Sequence, residues 1–157
     1  MNTLTATVRD SGQGEARWFG GGLQTWLATT EETGGAFLLT EFVGQEGKVT
    51  PVHIHPGVDE TFYVLDGEIL LDLSGERRSL ETGGVVVMPR GLPHAFKIIS
   101  PQARILTILT PGKGEDFYRM ASEPAPPGSA PVPFDLNRVI AAAEATGGIE
   151  ILGPPPF

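Results

Sequence analysis

The chain has no cysteine, which excludes a disulfide framework and any thiolate metal site. No apolar run approaches the roughly 18 residues that a membrane helix needs. The stretch from Met1 to Asp10 has neither the basic start nor the apolar core of a secretory signal, so a cytoplasmic location is expected. Basic residues are few, 11 against 19 acidic, for a formal charge of −8. Such a surface repels phosphate backbones and anionic headgroups, so neither nucleic acid nor membrane is an expected partner. Arg77-Arg78, the single adjacent basic pair, lies in a turn-and-strand segment and reads as a solvated face. No helix-turn-helix pattern and no solenoid-period repeat is present. Histidine is scarce too, with three in 157 residues.

Turn formers, by contrast, are abundant. Twenty-one glycines and 14 prolines favour short strands over long helices. Residues 17 to 110 read as strands rich in branched and aromatic side chains: Leu23 to Thr29, Ala36 to Val43, Glu60 to Leu65, Glu68 to Leu73, Arg77 to Glu81, Val85 to Met88, His94 to Ser100 and Ala103 to Thr110. Asp66-Gly67 predicts a two-residue hairpin, and Ser74-Gly75 marks the next turn. The pattern predicts an all-β sandwich or barrel. Glu123 to Pro133 reads as a Pro-rich linker able to form neither helix nor ladder. Asp135 predicts the N-cap of a helix over Leu136 to Ala145 that stops at Gly147, with Leu136, Val139, Ile140 and Ala143 on its docking face. A short extended tail, Ile149 to Gly153, follows.

All three histidines fall into one pattern. Gly47 leads through Lys-Val-Thr-Pro-Val to His53, Ile54 and His55, and Pro-Gly-Val-Asp then leads to Glu60. Gly67 follows after six intervening residues; Gly83, Pro89, Gly91 and His94 come from a separate segment. Residues two apart on a strand share a face, so His53 and His55 point into one space. A hairpin through Pro-Gly-Val-Asp would return Glu60 to that interior, with Phe62 and Val64 beside it by parity. His94 opens a strand with Phe96 and Ile98 on its own face. Three imidazoles and a carboxylate suit one divalent transition metal: Fe2+, Ni2+, Mn2+, Co2+, Cu2+ or Zn2+. Phe62, Val64, Met88 and Phe96 are the candidate substrate-pocket walls. Asp59, out of phase with Glu60, reads as surface.

The two segments resemble the two motifs of the cupin superfamily. Gly47, His53, His55, Glu60 and Gly67 fill the first; Gly83, Pro89, Gly91 and His94 fill the second, with Ile98 where the second motif usually ends in Asn. The resemblance implies a cupin double-stranded β-helix, or jelly-roll, barrel with a short C-terminal helix. It divides one domain into a barrel with N-terminal strands (1–120), a Pro-rich linker (121–134), and a helix and tail (135–157) packed on the barrel. The region from Thr110 onward is similar to single-domain cupins of the quercetin 2,3-dioxygenase-like group. That likeness implies a metal-dependent dioxygenase, an oxidoreductase using O2 on a small, planar, hydroxylated molecule, with Glu60 as ligand, catalytic base or both. An O2-independent isomerase, lyase or decarboxylase, and a binding module with a structural metal, are the alternatives. A homodimer is expected as well, both from the resemblance and from the number of large aromatics (Trp18, Phe19, Trp26, Tyr63) that one small barrel must hide.

Overall fold

A computed structural model describes residues 5–157; the first four residues of the N-terminal stretch read above lie outside it. The strands are β1 (Glu15–Phe19), β2 (Gly22–Ala28), β3 (Leu38–Gln45), β4 (Val52–Ile54), β5 (Asp59–Asp66), β6 (Glu68–Leu73), β7 (Glu76–Glu81), β8 (Val85–Met88), β9 (His94–Ile98) and β10 (Gln102–Thr110). Then come α1 (Glu115–Ala121), β11 (Ser122–Pro124), α2 (Leu136–Thr146) and β12 (Glu150–Gly153). They form two antiparallel sheets, ordered β11-β1-β2-β3-β10-β5-β8 and β12-β4-β9-β6-β7. This is a jelly roll whose sheets face one another without closing into a continuous hydrogen-bonded barrel. Burial alternates along β2, β3 and β5, the signature of strands with one face on a core.

Two expected hairpins turn out to be crossings between sheets. Asp66-Gly67 joins β5 to β6, which lie in different sheets. Gly67 has φ 87° but Asp66 does not adopt positive φ, so no two-residue hairpin forms there. Gly67 is required for another reason: a Cβ would lie 2.3 Å from the Gln102 carbonyl oxygen. The two-residue hairpin is instead Ser74-Gly75, both at positive φ (54° and 90°), with Leu73 paired to Glu76. Likewise Pro-Gly-Val-Asp carries the chain from β4 across to β5 rather than back alongside it.

The segment read as a ladder-free linker in fact begins inside a sheet. β11 pairs with β1, placing Trp18 opposite Glu123 and Arg17 opposite Pro124. Proline is tolerated because β11 is an edge strand with one ladder to satisfy. Neither β1 nor α1 is among the elements the sequence predicts. α1 has seven residues, too few to be stable alone, and is held by burial of Phe117, Tyr118 and Ala121.

α2 is capped as expected. The Asp135 side chain accepts from the Arg138 backbone N–H at 3.1 Å, and Gly147 ends the helix at φ 67°. Its docking face is rotated from the expected one: Val139, Ala142 and Ala143 are buried, whereas Leu136 is exposed. Val139, Ala142 and Ala143 pack in one cluster with Phe117, Tyr118 and Ala121 of α1, and that packing sets the face.

Apolar side chains gather in two clusters. One is strand-built, from Phe42, Phe62, Val64, Ile69, Leu71, Met88, Phe96, Ile98, Ala103 and Ile105. The other is capped by helices, with Trp26, Leu38, Val58 and Leu109 packed against Phe117, Tyr118, Val139, Ala142 and Ile149. Phe19 touches both. Along β5 and its approach, the inward positions pass from Val58 in the helix-capped cluster, through Glu60, to Phe62 in the strand-built one. Gln24, Thr40 and Thr107 interrupt the inward faces of β2, β3 and β10 in the same way. A polar level therefore separates two apolar cores.

Candidate metal centre

His53 lies on β4 directly opposite His94 on β9. His55 follows just past the end of β4, where Pro56 limits further pairing. Glu60 comes from the other sheet, paired with Met88 and Leu109. The four expected donors thus converge from both sheets: one ligand atom from each lies within 4.8 Å of all the others, and all four residues are buried. His53 and His94 ring centroids are 4.4 Å apart, and the His55 and His94 rings stack 5.6 Å apart at 10°.

The rings are aimed by the backbone. Nδ1 of His53 donates to the Pro51 carbonyl at 2.9 Å, and Nδ1 of His94 to the Leu92 carbonyl at 2.8 Å. A carbonyl can only accept, so Nδ1 carries the proton and Nε2 is left for the centre, the arrangement that orients metal-ligating histidines. Nε2 of His94 stands 3.0 Å from Glu60 Oε2; that contact needs either a proton between them or a cation in its place. Nε2 of His55 lies 3.3 Å from the same oxygen yet is buried with no hydrogen-bond partner. An orphaned buried nitrogen costs about 1–3 kcal/mol. Its presence among three other inward donors is what a metal-binding shell looks like, and the donor set fits a divalent transition metal.

Electrostatics agree with the geometry. Burial, then the nearby His94 and His55 rings, push His53 down to about 3, so it is neutral at pH 7 as a ligand must be. Burial opposes ionisation of Glu60, but His55 and His94 outweigh it and hold the carboxyl well below its usual range. Burial likewise disfavours protonated His94, and Glu60 overcomes this to raise it. Tyr118 is pushed well above the usual phenol value by burial and by the Glu60 charge, which keeps its hydroxyl a donor.

His53, His55 and Glu60 open onto a cavity in which the centre of a water molecule can occupy about 90 Å³. Phe42, Phe62, Phe96 and Ile105 wall it from the strand-built cluster; Phe117, Val139 and Ile149 wall it from the helical side. Of the four expected wall residues, Phe62 and Phe96 line this space. Val64 and Met88 do not: at 0% and 1% exposed they are packed into the strand-built cluster. Asp59 faces outward as expected, bound to Arg90 at 3.0 Å.

Sequence reasoning missed Gln24, Lys48 and Tyr118, which also line the cavity. Gln24 was accessible by parity with Trp26, whose indole donates to its Oε1 at 2.9 Å. Tyr118 could have been found from the acidic first turn, Glu115-Asp116, that marks a helix start. Lys48 carried no signal beyond its place after Gly47.

Residues 41–109 match the family described as the cupin domain. The chain carries a cupin domain, and all four donors lie within it. Among curated proteins, the chain is similar to quercetin 2,3-dioxygenase of Bacillus subtilis (strain 168), 32% identical over 114 residues that cover 73% of this chain and 34% of that protein. The chain spans from about a third to 57% of the length of the curated relatives it matches. Among solved structures, an RmlC-like cupin from Shewanella frigidimarina superimposes with a TM-score of 0.62 at 19% identity, covering 72% of this chain and 96% of that one. The polyketide cyclase RemF from Streptomyces resistomycificus gives 0.60 at 22% identity, covering 81% and 90%. At such identities the likeness is one of fold. No helix among the described residues is long and apolar enough to cross a membrane.

Proposed function

We propose that the chain is a metal-dependent dioxygenase acting on a small, planar, hydroxylated organic molecule. The observation that carries this reading is the convergence of His53, His55, His94 and Glu60 on one buried point at the wall of an apolar cavity. The likeness to quercetin 2,3-dioxygenase supports the reaction class. The three histidines would hold the metal, His53 and His94 through nitrogens that the backbone already aims. When bound, a divalent transition metal supplies Lewis acidity and a site for O2 chemistry. Glu60, ionised and beside the cavity, accepts the proton of a substrate hydroxyl and leaves an electron-rich oxyanion. Phe62 and Phe96 hold the flat body of the substrate, and the apolar walls exclude bulk water. Oxygen uptake on a screen of enediols, catechols and flavonols, with aerobic and anaerobic turnover compared, tests the proposal. Turnover that persists unchanged without O2 would replace it with an isomerase, lyase or decarboxylase.

A homodimer belongs to the same proposal, on altered grounds. Trp26 is 1% exposed and Phe19 packs between the two clusters, so neither is surplus. Trp18 is covered by the Pro-rich segment, its indole donating to Ser129 Oγ at 3.0 Å. One patch of exposed apolar side chains lies on β5 and the edge strand β8, where Tyr63, Val85 and Val87 are 40%, 58% and 62% exposed. Tyr63 is paired with Val85 in the ladder, which makes the patch continuous. Light scattering that gives a mass near 16.7 kDa across micromolar concentrations would overturn the dimer.

A further inference from the structure

Lys48 is the one cationic side chain among the residues lining the cavity. Its ammonium donates to the Val49 carbonyl at 2.8 Å, which uses one of its three N–H groups. It lies 5.7 Å from the Phe96 ring centroid and 5.1 Å from that of Phe134, both within cation–π range. No carboxylate of the described residues forms a salt bridge with it, and burial, with no charged partner to oppose it, lowers it to about 8. The Asp and Glu side chains that outnumber the basic ones are engaged elsewhere or exposed; none reaches this ammonium. Gly20 keeps the space beside it open, since a Cβ there would lie 3.3 Å from Nζ. Phe134, which also lines the cavity, is 41% exposed, so the ammonium stands toward the solvent-facing side of that space.

A partly buried cation between two aromatic faces, with N–H groups left over, is a costly arrangement unless something completes it. None of the polar groups that line the cavity, Glu60 and Gln24 among them, is bonded to this ammonium, and the remaining walls are mostly apolar. We propose that Lys48 completes its shell with the substrate, and that the substrate is an organic anion: a flat molecule bearing a carboxylate that pairs with Lys48 while its body lies against Phe96. This deepens the proposed function by naming the charge of the substrate, and it rests on that reading for the direction in which the rest of the molecule points. It differs from that reading in what it requires, because the ion pair does not depend on the metal.

The test is calorimetric titration of the full chain with benzoate and with benzamide, its neutral counterpart of the same shape. It is run on protein stripped by a chelator and again on zinc-loaded protein. Metal-free wild type is expected to bind benzoate about tenfold more tightly than benzamide, the size of effect a charge-assisted hydrogen bond gives. Lys48→Met should abolish that preference while changing benzamide affinity less than about twofold; Lys48→Arg should keep it. The melting temperature of Lys48→Met is expected to equal or exceed that of wild type, because a methionine of similar length replaces an unpaired charge. Equal affinity of metal-free wild type for the two probes, absence of measurable binding of either, or a preference that survives Lys48→Met would overturn the proposal. A preference seen only with zinc and unchanged in Lys48→Met would assign the carboxylate to the metal, overturning the role of Lys48 while supporting the centre. Failure of wild type to bind zinc, with the Lys48-dependent preference intact, would do the reverse.

Discussion

The two apolar clusters on either side of the four donors are made by different means. The strand-built cluster is drawn from six strands of both sheets, and its members Val64, Ile69, Ile98 and Ala103 are fully buried. The helix-capped cluster needs α1, α2 and the segment leading to β12 to cover the ends of β2, β3 and β10, and the cavity intrudes between its members. Both wall the cavity, but one is held by strand packing from both sheets and the other is a lid assembled from parts distant in sequence. The polar level between them carries the chemistry, so the site has a rigid floor and a roof that depends on helix docking.

The strongest way to break this picture is to remove a donor. His53→Ala, His55→Ala and His94→Ala are each expected to lose most bound metal by elemental analysis, while their melting curves remain cooperative because the strand-built cluster is untouched. Wild-type metal content in two of the three would end the metal assignment. Glu60→Gln keeps the volume but can neither accept a proton nor ligate well. It is expected to retain most metal and to lose about a hundredfold or more in turnover; equal loss of both would make Glu60 chiefly a ligand.

Core truncations sharpen the floor-and-roof contrast directly. Ile98→Ala in the strand-built cluster should cost about 2–5 kcal/mol in urea unfolding. Ile149→Ala, whose side chain already faces open space on one side, should cost no more than about half as much, since fewer contacts are lost. Equal costs would mean that the cavity wall is packed as tightly as the floor.

The smallest expected effect is at the periphery. Arg9 hydrogen-bonds Glu32 at 2.7 Å and holds its carboxyl down at about 2. A carboxyl lowered on folding contributes stability that is present above its unfolded value, near 4.3, and is lost as pH falls through the folded value. Glu32→Gln should therefore melt slightly below wild type at pH 6, with the gap closing between pH 4 and pH 2. A gap that stays constant over that window would remove the ion pair as its cause.

What was legible in the sequence follows the same division. Period-two alternation exposes the inward set Glu60, Phe62 and Val64 because it is a local property of one strand. The histidine spacing exposes the donors because a ligand pair on one strand must be two apart. Alternation does not say which sheet a strand joins, so Asp66-Gly67 and Pro-Gly-Val-Asp were read as hairpins when they are crossings. It also does not say how deep an inward residue sits, which is why Val64 and Met88 were expected on the pocket wall and lie in the floor. The roof was least legible. α1 is too short to announce itself, β11 contains a proline, and the buried face of α2 is set by the packing of Val139, Ala142 and Ala143 with α1 rather than by its largest side chains. Lys48 belongs to this illegible part, since only the meeting of Phe96 with Phe134 from 38 residues downstream gives it a setting.

One pairing has a consequence for how the centre comes into being. β4 has three residues, is bonded to β9 at His53, and takes its other neighbour from β12, where Ile151 lies opposite His53. Those two residues are separated by 97 others. At about 5–20 residues per second, a ribosome needs roughly 5–20 seconds to supply β12 after His53 has emerged. For that interval the histidine strand is an uncovered sheet edge, open to pairing with another nascent chain. The donors are thus encoded early and enclosed late, and the delay is set by translation rather than by the chemistry of the ligands.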